Sequence, residues 1–194
     1  MLRDFSAVVL AAGRSTRMGR DKALLACDGA PLWRRQRDLL AQAGAAEILL
    51  SARPEQTWAA GAAGFAAVVP DAIALGGPIA GLVAGLERAT HPWLAVLAVD
   101  LPAMTPEWFT LLRAGCATGV GRVGRRGDFF EPLAAIYPRE MSGLARDAIT
   151  RAEFSLQRLL AEAVAMGLMG EYEITAAEVP WFANWNEGSS PAKT

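Results

Sequence analysis

The sequence contains few cysteines and has no dominant charge. Cys27 and Cys116 are its only cysteines, and two thiols in 194 residues do not indicate a disulfide framework. Its 19 Lys and Arg residues are balanced by 20 Asp and Glu residues, which gives a formal net charge of −1. A chain without an overall positive field is not expected to bind nucleic acid. Any anion-binding site must therefore be local.

A membrane span and a secretory leader are also missing from the sequence. Charged residues or prolines interrupt every apolar run before it reaches the length of a membrane span, and no cationic, apolar leader precedes the first predicted strand. We therefore expect a cytoplasmic protein that contacts no membrane. With 53% hydrophobic residues, we expect a single domain over residues 1–187 and a flexible tail over 188–194.

Apolar segments of strand and helix character alternate along the chain. Candidate buried strands cover residues 7–11, 47–51, 66–69 and 93–99. This alternation predicts an α/β fold. Because ligands collect beyond the carboxyl ends of parallel strands, we expect Ala11 to Gly13, Asp71 and Asp100 to line one crevice.

The remaining elements are predicted from capping residues and periodicity. We expect a short extended piece over 23–26, a turn at Asp28 and Gly29, and a helix that starts at Pro31 and stops at Gly44. Later expected elements are a helical patch at 55–60, a helix from the glycine turn at 76–81 through 87, a helix at 106–114, a strand and loop within 115–127, helices at 138–149 and 155–166, and an edge strand at 172–174.

A glycine-rich basic loop follows the first predicted strand. Gly13 and Gly19 allow the backbone to approach a ligand closely. Four cations lie within nine residues of each other: Arg14, Arg17, Arg20 and Lys22. Main-chain N–H groups and cations in such a loop favour a phosphate ligand, although the spacing matches neither the Walker nor the dinucleotide fingerprint. An ordinary strand-to-helix turn with solvated cations explains the loop alone equally well.

A carboxylate ends the longest candidate strand. Asp100 follows residues 93–99, and a carboxylate there could hold Mg²⁺ beside phosphates, because Mg²⁺ takes one or two protein carboxylates together with phosphate oxygens. The same side chain could instead cap the turn at Leu101 and Pro102. The pattern leaves both interpretations open. The single histidine, His91, is expected to be structural or solvated and not catalytic, and Trp181 and Trp185 are expected to pack.

Several of these motifs together resemble one family. The loop sequence LAAGRSTRMGRDK resembles the signature L-A-[GA]-G-x-S-x-R-M-G-x-D-K of the MobA-like nucleotidyltransferases, and Ala98–Pro102 resembles their C-D-x-P motif with Val99 in place of cysteine. The resemblance implies a Rossmann-like three-layer αβα sandwich with a mostly parallel central sheet. It also implies Mg²⁺-dependent transfer of GMP from GTP to the phosphate of molybdopterin or the molybdenum cofactor, with release of pyrophosphate.

The resemblance implies a role for each residue that matches a family motif. The implied catalytic residues are Arg17, Lys22 and Asp100, and Asp100 is also the implied Mg²⁺ ligand. The implied nucleotide contacts are Leu10, Ala11, Ala12, Gly13, Gly19, Lys22, Asp71, Gly77, Gly81 and Asp100. Glu131, in an E-P-L-x-A-x-Y segment, and Asn184 and Asn186, in an N-x-N segment, are implied on the pterin side.

Two departures from the family pattern keep alternatives open. Ala12 gives L-A-A-G, as in cytidylyltransferase relatives, so a CTP-dependent molybdenum cofactor cytidylyltransferase or a sugar-phosphate nucleotidyltransferase is the second hypothesis. Residues 187–190 replace the family's T-P-E-D, and a non-catalytic nucleotide- or cofactor-binding delivery partner is the third. Transient contact with molybdoenzymes or their chaperones is the partner implied beyond the small-molecule substrates.

Overall fold

The structure is a computed structural model that describes residues 4–13, 21–70 and 77–184. The strands in these ranges are β1 (Phe5–Leu10), β2 (Ala26–Cys27), β3 (Ala30–Pro31), β4 (Glu47–Ala52), β5 (Ala67–Pro70), β6 (Trp93–Ala98), β7 (Gly121–Arg126), β8 (Phe129–Phe130), β9 (Ala134–Pro138) and β10 (Met169–Glu173). The α-helices are α1 (Leu32–Gln42), α2 (Pro78–Arg88), α3 (Pro106–Ala114), α4 (Met141–Thr150) and α5 (Leu156–Ala165). Short 3₁₀ helices cover Lys22–Leu24, Thr57–Gly61 and Val179–Phe182.

One mostly parallel sheet forms the centre of the described chain. Its strand order is β10-β7-β9-β6-β1-β4-β5, with β8 paired to β7. Strands β4 and β6 both pair with β1 in parallel, and β5 pairs in parallel with β4. Strand β9 is antiparallel to its neighbours β6 and β7. The arrangement confirms the expected α/β fold with a mostly parallel central sheet.

Helices cover both faces of the sheet. Successive side chains of a strand point to opposite faces, and consecutive residues of the central strands are buried, so both faces must be covered. In β1, Ala7 and Val9 face the core that includes apolar residues of α1 and α3. Val8 faces the opposite core, which includes residues of α2, α4 and α5. The sheet lies between helices α1 and α3 on one face and helices α2, α4 and α5 on the other, which gives the three layers of the αβα sandwich. No helix in the part of the chain described here is long and apolar enough to cross a membrane.

The connection from β1 to α1 differs from its predicted form at two points. The segment expected to be extended begins as the 3₁₀ helix Lys22–Leu24, because the Asp21 carboxylate caps it by accepting from the Ala23 N–H. Pro31 ends β3 instead of starting the helix, and α1 follows it directly. The Asp28 and Gly29 turn is confirmed, with φ of 52° and 80° as a tight two-residue hairpin turn requires.

In the second half of the chain most predicted elements are confirmed and two boundaries are wrong, since α4 starts later than predicted and β10, predicted at 172–174, starts at Met169. The predicted bounds of α3 match the structure, and α5 begins after Ser155, whose hydroxyl accepts from the Arg158 N–H at 3.3 Å. The helix predicted from Pro138 starts later, since Pro138 is the last residue of β9 and pairs with Trp93. The expected domain limit at residue 187 lies outside the described residues.

Helix α2 packs closely against the sheet at Gly81. A Cβ at this position would lie 2.8 Å from Leu10 Cδ2 and 2.9 Å from Ser51 Oγ, which is closer than van der Waals contact allows. Ser51 is fully buried and has little room to move, whereas Leu10 is partly buried. Gly81 therefore lets α2 approach the carboxyl ends of β1 and β4.

This packing predicts opposite effects for the same substitution in two helices. Gly81→Ala should lower the melting temperature, because overpacking costs about 1–3 kcal/mol and exceeds the gain of about 0.5–1 kcal/mol in helix propensity. Gly143→Ala in α4 is the matched control, since nothing lies within 4 Å of its added Cβ, and it should raise the melting temperature. Calorimetry on the two variants checks this, and a rise in both would contradict close packing at Gly81.

Candidate functional site

Three parallel strands end side by side at one edge of the sheet. Leu10 at the end of β1 pairs with Ser51 in β4 and with Ala98 in β6. The pairing continues past the strand ends, where the Ala11 N–H donates to the Ser51 carbonyl at 2.9 Å and the Val99 N–H donates to the Leu10 carbonyl at 3.1 Å. The start of the basic loop is thereby adjacent to the segment that carries Asp100.

The far end of the loop returns to the same place. Lys22 Nζ lies 3.2 Å from Asp100 Oδ2, although the two residues are 78 positions apart. Their side chains are 28% and 29% exposed, so both charged groups are accessible from solvent. The structure thus brings together two of the three predicted catalytic residues. The third, Arg17, lies outside the described residues, as do Gly19, Asp71 and Asn186.

Side chains of the connection between β4 and β5 donate hydrogen bonds to both ends of the basic loop. None of these residues was predicted from the sequence as a functional residue. Arg53 donates through Nη1 to the Ala12 carbonyl and, at 2.8 Å, to the Gly13 carbonyl. Gln56 and Trp58 of the same connection donate to Asp21, which precedes Lys22. The sequence could have indicated these residues only through their position, because they directly follow a predicted strand at the carboxyl edge of the sheet.

Helix α1 fixes the turn that carries Asp100. Gln36, which is fully buried, donates through Nε2 to the Leu101 carbonyl at 2.7 Å. Arg35 donates through Nε to the Pro102 carbonyl at 2.8 Å. Both hydrogen bonds hold the backbone directly after Asp100, so the direction of its carboxylate is set by the helix beneath it.

The second glycine-rich segment meets the same edge. Strand β5 ends at Pro70, which pairs with Ala52. Gly77 precedes α2 with φ of 58° and ψ of −151°, a conformation that essentially only glycine adopts. Gly77 is exposed, whereas Gly81 is buried against Leu10. Of these two predicted nucleotide contacts, Gly77 therefore lies on the surface and Gly81 lies beneath it.

The E-P-L segment lies on the other side of Asp100. The Leu133 carbonyl accepts from the Ala98 N–H at 2.9 Å, so this segment adjoins the carboxyl end of β6. The hydroxyl of the buried Tyr137 donates to the Pro132 carbonyl at 2.8 Å, which explains the tyrosine in the motif. Burial raises the pKa of Glu131, and the nearby Arg126 guanidinium offsets part of this rise.

The C-terminal segment packs close to the E-P-L segment. Phe182 contacts the Trp108 ring edge-on with centroids 4.9 Å apart, and Trp108 Nε1 donates to the Ala134 carbonyl at 2.8 Å. Trp181 also contacts Trp108, which confirms its packing role. Asn184 follows and is exposed, while Trp185 lies outside the described residues.

The single histidine lies far from this site. His91 Nδ1 is 3.1 Å from Ser6 Oγ and 3.7 Å from Glu47 Oε1. Ser6 and Glu47 lie near the amino ends of β1 and β4, at the edge opposite Asp100. The prediction that His91 is structural fits this position.

Comparison with known proteins identifies the family. Residues 7–166 match the MobA-like NTP transferase domain. The chain belongs to this family. It is therefore a nucleotidyltransferase.

Similar proteins extend the family match over nearly the whole chain. A probable molybdenum cofactor guanylyltransferase of Opitutus terrae is 42% identical over 92% of this chain and 88% of that protein. A molybdenum cofactor guanylyltransferase of Pseudomonas putida is 35% identical over 84% of this chain and 85% of that protein. The solved structure of molybdopterin-guanine dinucleotide biosynthesis protein A from Archaeoglobus fulgidus has a TM-score of 0.73 at 21% identity, covering 94% of this chain and 93% of that chain. It supports the MobA-like fold.

The raised pKa of Glu131 predicts a pH-dependent stability difference. Because burial favours the protonated carboxyl in the folded protein, ionising Glu131 costs stability at neutral pH. Glu131→Gln should therefore be more stable than the parent at pH 7, and this advantage should shrink as the pH falls through the raised folded-state pKa of Glu131 and be lost once the pH reaches the unfolded-state pKa of glutamate. Melting curves from pH 4 to pH 8 check this, with exposed Glu173→Gln as the control. An advantage for Glu131→Gln that grows towards pH 4 would contradict it.

Proposed function

We propose that this nucleotidyltransferase transfers GMP from GTP to the phosphate of molybdopterin or the molybdenum cofactor. The observation that carries the proposal is the contact of Lys22 with Asp100 where the basic loop meets the carboxyl ends of β1 and β6. The choice of guanine and of the molybdenum cofactor is supported by the names of the similar proteins from Opitutus terrae and Pseudomonas putida.

The Lys22 and Asp100 ion pair suits a site that receives a charged ligand. The two side chains are partly exposed, so separating them costs less than separating a buried ion pair. A bound triphosphate and cation would give each member a new partner of opposite charge. Lys22 would contact a phosphate oxygen as a point charge, and Asp100 would contact the cation.

The residues of the site fit Mg²⁺. The Asp100 carboxylate supplies the hard oxygen ligand that Mg²⁺ prefers, and Mg²⁺ needs only one or two carboxylates when phosphate oxygens and waters complete its shell. Within residues 4–13, 21–70 and 77–184 no group of three or more His, Cys, Asp or Glu residues could hold a metal. Asp100 would therefore hold Mg²⁺ jointly with the triphosphate. The ion would neutralise charge on the phosphates and on the departing pyrophosphate.

In the proposed reaction one phosphorus–oxygen bond forms and one breaks. A phosphate oxygen of the acceptor attacks the α-phosphorus of GTP, and the bond from this phosphorus to the bridging β-phosphate oxygen breaks. Pyrophosphate leaves with the electron pair of that bond. A phosphate monoester is already ionised near neutral pH, so no general base is needed. Arg17 and Lys22 are assigned to charge stabilisation, and positioning supplies much of the remaining rate enhancement.

The two substrates are assigned to opposite sides of Asp100. The proposed nucleotide contacts are Leu10, Ala11, Ala12, Gly13, Gly19, Lys22, Asp71, Gly77, Gly81 and Asp100. The proposed pterin side comprises Glu131, Asn184 and Asn186. Contact with molybdoenzymes or their chaperones and a cytoplasmic location are proposed from the same role.

One residue favours a second candidate, CTP-dependent transfer to the same acceptor. Ala12 occupies the position at which guanylyltransferases more often carry glycine, and its carbonyl accepts from Arg53. A change of base specificity at this position would leave Lys22 and Asp100 with unchanged roles. The choice between GTP and CTP is therefore a direct experimental question.

A transfer assay with each triphosphate tests the proposed function. The purified protein is incubated with Mg²⁺, molybdopterin or molybdenum cofactor, and either α-labelled GTP or α-labelled CTP, and the product is identified by mass spectrometry. We expect the guanine dinucleotide and labelled product from GTP alone. A cytosine dinucleotide would overturn the choice of base, and nucleotide binding without any product would favour the delivery partner.

Asp100→Asn provides the site-specific arm of this assay. The variant keeps the shape of the side chain but loses the charge that would hold Mg²⁺, so transfer should fall at least about 100-fold while the melting temperature changes little. The matched control is Asp147→Asn, which makes the same change on the exposed face of α4. Equal activity of the two variants would remove Asp100 from the metal site.

A further inference from the structure

Gln56 bridges the two ends of the basic loop. It lies in the connection between β4 and β5 and is only 6% exposed. Its Nε2 donates to the Ala11 carbonyl at 3.0 Å and to Asp21 Oδ2 at 2.7 Å. Its Oε1 accepts from the Arg53 N–H at 2.6 Å. Both amide protons and the amide oxygen are therefore used.

The bridge reaches Lys22 through Asp21. Trp58 Nε1 donates to the same Asp21 Oδ2 at 2.7 Å, and Asp21 Oδ1 accepts from the Ala23 N–H at 3.1 Å. The Asp21 carboxylate thus caps the 3₁₀ helix Lys22–Leu24 while it is held from the other side by two donors. The backbone of Lys22 lies between these fixed points.

The buried Gln56 amide does more than pair with other buried polar groups, because it links two separate segments of the chain. Ala11 and Asp21 are ten positions apart in the chain, and Gln56 is 45 positions from one and 35 from the other. One side chain thereby fixes the start and the end of the loop to the same strand connection. In a transfer reaction, a shift of about 1 Å in a charged group can cost roughly 100-fold in rate.

We propose that Gln56 is a positioning residue, which sets Lys22 for the triphosphate by tying Asp21 to Ala11. The inference rests on the proposed function through the role of Lys22. The hydrogen bonds of the Gln56 side chain run to Ala11, Asp21 and Arg53. Its effect passes through the Asp21 carboxylate and the cap on Ala23.

The test compares Gln56→Met with a matched hydrogen-bond deletion at the opposite edge of the sheet. Gln56→Met keeps the length of the side chain and removes its polar contacts. Ser6→Ala is the control, because the fully buried Ser6 hydroxyl donates to Glu47 at 2.5 Å, far from the site. For each protein we would measure the melting temperature, kcat, and the KM for GTP and for the molybdopterin acceptor.

Gln56→Met should lower kcat/KM for GTP by about 10–100-fold and leave the KM for the acceptor unchanged. Ser6→Ala should lower the melting temperature without changing kcat, the KM for GTP or the KM for the acceptor. If Gln56→Met loses stability as Ser6→Ala does and keeps kcat/KM for GTP within about twofold of the parent, Gln56 is only structural and the inference is overturned.

Two further measurements keep the inference testable when an assay fails. If Gln56→Met does not fold, Gln56→Glu decides, since it keeps the oxygen that accepts from the Arg53 N–H and removes the amide donors to Ala11 and Asp21. An unchanged kcat/KM for GTP in Gln56→Glu would then overturn the inference. If the parent transfers no nucleotide, the proposed function fails separately, and hydrogen exchange of the Ala23 amide decides. Faster exchange in Gln56→Met than in Ser6→Ala supports the positioning role, and equal exchange overturns it.

Discussion

Strand β1 is hydrogen-bonded in parallel on both sides, and the site depends on this pairing. Because β4 and β6 run in the same direction as β1, the three carboxyl ends finish at one edge. The chain segments that leave them begin in contact, as the hydrogen bonds of Ala11 and Val99 show. The start of the basic loop after β1 and the segment after β6 that carries Asp100 are therefore neighbours.

Buried and partly buried polar side chains then give these neighbouring segments a defined geometry. Gln56 and Arg53 donate to the start of the loop from the side of β4, and Gln36 and Arg35 donate to the Asp100 turn from α1. Each of these side chains donates to backbone carbonyls just beyond the carboxyl ends of the strands. Amide and arginine side chains fix these backbone segments, so Lys22 and Asp100 are not needed for that purpose and stay partly exposed.

Much of the fold was predictable because its causes are local. A short apolar run with β-branched residues identified β1, Pro106 marked the start of α3, and the pair Asp28 and Gly29 marked a hairpin turn. The wrong start of α4 at Pro138 arose because pairing with Trp93, 45 positions away, extends β9 through that proline. The roles of Gln56 and Gln36 were not predictable, since their partners are defined only once distant strands lie side by side.

The family resemblance pointed to Lys22 and Asp100, and the pairing of β1 with β6 explains why they meet. The resemblance also implies Gly81 as a nucleotide contact, and its position in the structure lets α2 approach the sheet closely. The motif could not reveal this packing role, because both roles require a missing Cβ and the neighbours of the missing atom, Leu10 and Ser51, come from distant strands.

The central claim is that Lys22 and Asp100 act on one bound Mg²⁺–triphosphate, and a double-mutant cycle tests it most directly. Calorimetry would give the Kd of Mg²⁺–GTP for the parent, Lys22→Met, Asp100→Asn and the double variant. We expect each single change to weaken Mg²⁺–GTP binding at least about tenfold, and the effects of the two changes to couple by about 0.5–3 kcal/mol. Single variants that bind Mg²⁺–GTP as tightly as the parent, or losses that simply add, would contradict it.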